Sequence, residues 1–124
     1  MKIKQKINSD KLSSFIANCM DDKKAIDIRI IHLKNIKNSI TDYFVLATGN
    51  SNIHIDAIAD GVQVDVYKKY KERPWKKEGL ENSEWILIDF VNVVAHIFDE
   101  NKRGLYNLEN LWGDGIIKEF NTKK

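Results

Sequence analysis

Apolar and polar positions alternate most clearly in two neighbouring stretches, Glu84-Trp85-Ile86-Leu87-Ile88-Asp89-Phe90 and Val93-Val94-Ala95-His96-Ile97-Phe98. A period of two is that of a strand, and a tight turn at Val91-Asn92 joins the stretches into a hairpin. In that register Ile86, Ile88 and Phe90 lie opposite Ile97, Ala95 and Val93, which makes one face wholly apolar. The other face pairs Trp85 with Phe98, Leu87 with His96, and Asp89 with Val94. An aliphatic face seeks a core. A face carrying Trp, Phe, His and Asp suits an interface.

The period changes elsewhere. Leu12, Phe15, Ile16, Cys19 and Met20 fall at helical spacing, with Ser9 and Asp10 as candidate N-caps. The stretch from Ala25 to Leu33 reads as a strand with Ile26, Ile28 and Ile30 on one face and Asp27 and Arg29 on the other. Residues Lys34 to Ser39 are polar and turn-prone, and Tyr43 to Thr48 is an apolar run suited to a central strand covered on both faces. Gly49-Asn50-Ser51 breaks that strand, with Ser51 capping a second helix whose stripe is Ile55, Ile58, Ala59, Val62, Val66 and Tyr70. Gly61 inside this helix costs about 1 kcal/mol relative to alanine, tolerable where the helix packs closely against the sheet.

Pro74 stops any helical continuation, and Trp75 to Lys77 forms a short strand before Gly79. A last helix is predicted from about 101 to 112, ended by Gly113-Asp114-Gly115. The pattern predicts one α+β domain over residues 1–124, a mixed β-sheet with flanking helices, its core at about 9–114 and a fraying tail at 115–124.

Composition narrows the classes. Of 124 residues, 43% are hydrophobic and 31% charged, ordinary for a globular protein, and a net charge of +2 gives weak overall attraction to nucleic acid. The lone Cys19 excludes an intramolecular disulfide and sits on the apolar stripe, as a buried thiol does. No apolar run reaches the roughly 20 residues that cross a bilayer, and the basic start from Met1 to Lys6 lacks the apolar stretch of a signal peptide. The expected compartment is the cytoplasm, with no membrane partner.

Catalytic chemistry finds little support. Gly49 and Ser51, with Asp56 and Asp60 downstream, have the flavour of a nucleotidyltransferase element, but that chemistry needs paired carboxylates on a strand to hold two magnesium ions. Asp56 and Asp60 are four apart on a helix, the pattern of a solvated acidic face. His32, His54 and His96 show no zinc spacing, and Ser13, Ser14, Ser39 and Ser83 lie in no nucleophile elbow. The expectation is no enzyme, no cofactor and no metal. Lys68, Lys69, Lys71, Arg73, Lys76 and Lys77, with Tyr70 and Trp75 interleaved, form a local basic cluster. It could touch RNA phosphates, but with Glu72 and Glu78 diluting the charge it reads first as a solvated helix C-terminus.

Three segments carry a family resemblance. They are Ile40-Thr41-Asp42-Tyr43-Phe44-Val45-Leu46-Ala47-Thr48-Gly49-Asn50-Ser51 with Ala57-Ile58-Ala59-Asp60, the Glu84 to Phe98 hairpin, and Leu105-Tyr106-Asn107-Leu108-Glu109-Asn110-Leu111-Trp112-Gly113-Asp114. In this order and spacing the chain resembles the ribosomal silencing factor (Iojap-like) family from about 9 to 114. The resemblance implies a fold related to that of nucleotidyltransferases without the catalytic carboxylates. It also implies binding to ribosomal protein number fourteen on the intersubunit face of the large subunit, steric exclusion of the small subunit and repression of translation. The alternatives are a minimal nucleotidyltransferase-like enzyme, or an RNA-binding module acting through residues 68–77.

Trp85 holds the tryptophan position of the family's hairpin motif and is the first candidate anchor. Leu87, Asp89, His96 and Phe98 complete the candidate partner-binding set: Asp89 for a basic residue, His96 for a hydrogen bond, Leu87 and Phe98 by strand alternation. The competing reading covers this face with the 106–112 segment and makes Trp85 ordinary core. An exposed aromatic patch also suits a homodimer of the free chain. The chain departs from the family in two places. Val91 stands where the family usually has glycine, and Ser51-Asn52 where it has a Ser-Arg-like pair. A β-branched residue resists positive φ, and a one-residue slip at this turn would exchange the two faces.

Overall fold

The hairpin turn closes on a residue that ordinarily avoids it. In the computed structural model, which describes residues 8–33, 41–79 and 84–100 and the backbone of 116–119, Val91 takes φ 79°. The Asn92 N–H donates to the Phe90 carbonyl at 3.1 Å, the Phe90 N–H to the Val93 carbonyl at 2.9 Å, and the Asp89 carboxylate receives the Val91 N–H at 2.7 Å. This is a γ-turn with positive φ at its centre, supported by an aspartate. It holds strands β4 (Trp85–Asp89) and β5 (Val93–Asp99) in the predicted register, Trp85 opposite Phe98, Leu87 opposite His96 and Asp89 opposite Val94. The two faces are not exchanged.

Helix α1 (Ser9–Asp22) starts one residue earlier than its sequence suggests. Asn8 is the N-cap, its side chain accepting from the Asp10 and Lys11 N–H groups, so Ser9 and Asp10 are already helical. Asn caps as well as Ser or Asp, and Ser9 is buried where a cap is normally wet. Asp10 instead receives the hydroxyl of Tyr43.

Strand β1 (Ile26–His32) carries a bulge between Ile26 and Arg29, with Asp27 at φ 51°. The bulge breaks the alternation the sequence implied. Ile28 and Ile30 enter the core while Ile26 is left 50% exposed. Strand β2 (Tyr43–Gly49) is buried at every position, as its unbroken apolar run predicted.

Helix α2 (Asn52–Tyr70) is capped by Ser51, whose hydroxyl accepts the His54 N–H at 3.0 Å. It ends at Tyr70 because Lys71 turns left-handed at φ 59°, several residues before Pro74. Ile55, Ile58, Ala59, Val62 and Val66 are buried, and Tyr70 meets Phe15 edge-on at 5.2 Å. A Cβ on Gly61 would meet the Lys23 side chain at 2.6 Å, so the close neighbour is this lysine stem and not the sheet.

Strand β3 (Lys76–Glu78) pairs with β4, and β6 (Ile116–Glu119) pairs antiparallel with β1. Residues 116–119 therefore belong to the sheet and are not the fraying tail that their weak periodicity suggested; strand pairing supplies what local pattern lacks. The predicted 101–112 helix lies outside the described residues.

Together these strands form a six-stranded sheet in the order β3-β4-β5-β2-β1-β6. The β2–β5 pair is parallel and the other four pairs are antiparallel, giving the mixed sheet expected of this α+β chain. Both described helices pack on one face, against Ile28, Ile30, Val45, Ala47, Ile86 and Ile97 among others. Ile31, Leu33, Phe44, Leu46, Val94 and Phe98 cluster on the opposite face, with Trp85 and Leu87 half-buried at its margin.

Candidate functional site

The margin of the second face is set by which strands lie next to one another. Because β5 sits between β4 and β2, the side chains of Trp85, His96 and Phe44 meet along a diagonal across three strands, each displaced by two residues from its directly paired neighbour. Trp85 donates its indole Nε1–H to His96 Nδ1 at 3.1 Å and stacks on Phe98 with centroids 5.3 Å apart and planes 23° apart. His96 lies nearly parallel to Phe98 at 5.9 Å, and Phe44 meets the imidazole edge-on at 4.8 Å. The indole is thereby held on one side by a ring and at its polar edge by a hydrogen bond.

Burial divides the five candidate residues. His96 is 4% exposed and Phe98 1%, whereas Trp85, Leu87 and Asp89 are half-buried. Of the five, the three β4 side chains reach solvent, and His96 and Phe98 pack against Trp85 from within the fold. The imidazole gives its Nδ1 to Trp85 inside the chain, where sequence reasoning had offered it to a partner. Burial holds its pKa down to about 3, so it is neutral, and an acceptor at Nδ1 leaves the proton on Nε2. Among the described residues Nε2 has no hydrogen-bond partner.

Beyond Asp89 the margin continues to a residue not counted as a site in the sequence. The Trp75 N–H donates to the Asp89 carbonyl at 2.7 Å, which brings an indole that is 72% exposed alongside the end of β4. Gly79 permits the other end of that approach, since a Cβ there would stand 1.9 Å from the Trp85 carbonyl oxygen, and its φ is +80°. The sequence placed Trp75 in a basic segment and at the start of a short strand over 75–77; the strand is Lys76–Glu78, and the nearness of Trp75 to Asp89 comes from that strand's pairing with β4.

The remaining candidates stay apart. Asp56 and Asp60 lie on the exposed face of α2, away from any strand. No group of three or more His, Cys, Asp or Glu suited to a metal occurs among the described residues. Burial, reinforced by the negative charge of Asp65, pushes the Cys19 thiol up to about 12, as befits a core thiol. The basic segment is exposed, but Arg73 lies over the Tyr67 ring at 4.3 Å and Lys69 near Phe15 and Tyr70 at 5.9 Å. No described helix is long and apolar enough to cross a membrane.

Fold and site thus define an α+β domain with a rigid aromatic margin on one sheet face, the anatomy of a binding module. A sequence profile described as "Ribosomal silencing factor during starvation" matches residues 6–124. The ribosomal silencing factor RsfS of Halalkalibacterium halodurans is 36% identical over 114 residues, which cover 92% of this chain and 96% of that protein. RsfS of Bacillus subtilis is 33% identical over 114 residues, covering 92% and 95%. A Chromobacterium violaceum crystal structure superposes with TM-score 0.81 at 31% identity, covering 86% of this chain and 88% of that one. The chain belongs to the ribosomal silencing factor family.

Proposed function

We propose that this protein is a ribosome-binding anti-association factor and not an enzyme. It docks through Trp85, Leu87 and Asp89 on ribosomal protein number fourteen at the intersubunit face of the large subunit. Occupying that face excludes the small subunit and represses translation, in the cytoplasm. One observation carries the docking edge: Trp85 is partly open to solvent while its indole is fixed by His96 and Phe98. An anchor held in its bound rotamer loses little entropy on docking, and such a residue typically dominates an interface.

The chain should co-sediment with isolated large subunits and inhibit their joining to small subunits. Trp85→Ala should weaken both by roughly 30-fold, the equivalent of about 2 kcal/mol at a hot spot. A wild-type chain that stays at the top of the gradient refutes the proposal.

A further inference from the structure

A pocket of about 400 Å³ opens at the turn end of the hairpin, lined by Thr41, Trp75, Asp89, Val91 and Val94. Trp75 and Val91, 72% and 54% exposed, are two of the most solvent-accessible large apolar side chains among the described residues. Among the described lining residues Asp89 is the one ionisable group, and its carboxylate keeps acceptor capacity beyond the bond it takes from the Val91 N–H.

We propose that this pocket seats an arginine side chain presented by the chain's protein partner. The inference rests on the docking edge described above and extends it to Trp75. Val91 and Val94 offer apolar walls for the methylene stem, Asp89 a counter-charge, and the Trp75 indole a flat face for the guanidinium. Arginine suits this combination better than lysine, because its planar head stacks on an aromatic ring while its N–H groups still reach a carboxylate. A nucleic-acid phosphate does not suit it, since the Asp89 carboxylate repels it and no described lining residue is cationic. The volume lies near the low end of ligand pockets, roughly 300–1,000 Å³, ample for one side chain.

The test measures binding of wild type, Trp75→Ala and Asp89→Asn to isolated large ribosomal subunits across a salt series. Each variant should bind about tenfold more weakly, and Asp89→Asn should also flatten the salt dependence. Both variants should fold, because Trp75 is exposed and asparagine keeps an oxygen for the Val91 N–H. Wild-type affinity in both variants overturns the pocket and removes Asp89 from the docking edge, whereas the Trp85 anchor is tested separately by Trp85→Ala.

A second arm needs no ribosome. N-acetylarginine amide should shift the Trp75 indole N–H resonance of the wild type, whereas the neutral citrulline analogue and the Asp89→Asn protein should give no shift. An equal response to arginine and citrulline, or none to either, also overturns it. So does a Trp75→Ala protein that loses self-association in the ultracentrifuge yet binds subunits as before, since the patch would then serve a second copy of the chain.

Discussion

Replacing Val91 separates the backbone from everything else at the hairpin turn. Its φ of 79° places an L residue in a region costing about 1–2 kcal/mol. Glycine removes that strain but frees the unfolded chain, a loss of about 0.4–1 kcal/mol relative to alanine. Valine is also 46% buried by difference from its 54% exposure, so both replacements forfeit the contacts of its two γ-methyls, and glycine gives up only Cβ besides. The informative quantity is therefore the difference between Val91→Gly and Val91→Ala. In an ordinary strand or helix glycine is the less stable of the two by about 0.5–1 kcal/mol. Here the order should invert, with Val91→Gly more stable than Val91→Ala by about 0.5–1 kcal/mol. For a domain of this size that is a melting-temperature gap of about 2–5 °C, read by circular dichroism and checked by urea titration. If alanine equals or exceeds glycine, the turn is not held at positive φ and the account of the register fails.

Three further outcomes follow from packing and titration. The His96 pKa is near 3 in the fold and 6.5 unfolded, so below pH 6.5 the unfolded chain binds the extra proton. Its contribution is intact above pH 6.5 and drains away toward pH 3, by about 2 kcal/mol at pH 5; denaturant melts should show His96→Gln losing less stability over that interval. Gly79→Ala drives a Cβ against the Trp85 carbonyl at 1.9 Å and should lower stability and subunit binding together, visible as an earlier melt and a weakened gradient shift. Gly61→Ala meets the Lys23 side chain from Cγ to Cε at 2.6–3.3 Å; because that side chain is exposed and can swing aside, part of the helix-propensity gain of about 1 kcal/mol should survive as a higher melting temperature.

Much of the hairpin was legible from residue order because a period of two admits only one pairing that hides Ile86, Ile88, Ala95 and Ile97 together. The same holds for α2, where Ser51 and a helical stripe announce both the start and the buried face. Misreadings arose where one residue breaks the period. Asp27 at φ 51° inserts a bulge that expels Ile26, and no propensity marks it. Residues 116–119 read as tail because a four-residue edge strand has too few positions to show alternation, and its hydrogen bonds come from β1.

What the chain's pattern determined by itself is the lopsidedness of the β4–β5 pair, since side-chain direction in a strand follows from backbone geometry alone. Accessibility needed the tertiary structure. Placing β2 beside β5 surrounds His96 and Phe98 and leaves Trp85, Leu87 and Asp89 at the margin. Pairing β3 with β4 brings Trp75 to Asp89 across 13 intervening positions (76 through 88). Burial and long-range proximity depend on which strands become neighbours, and that choice is made by the packing of the whole sheet rather than by any local run of residues.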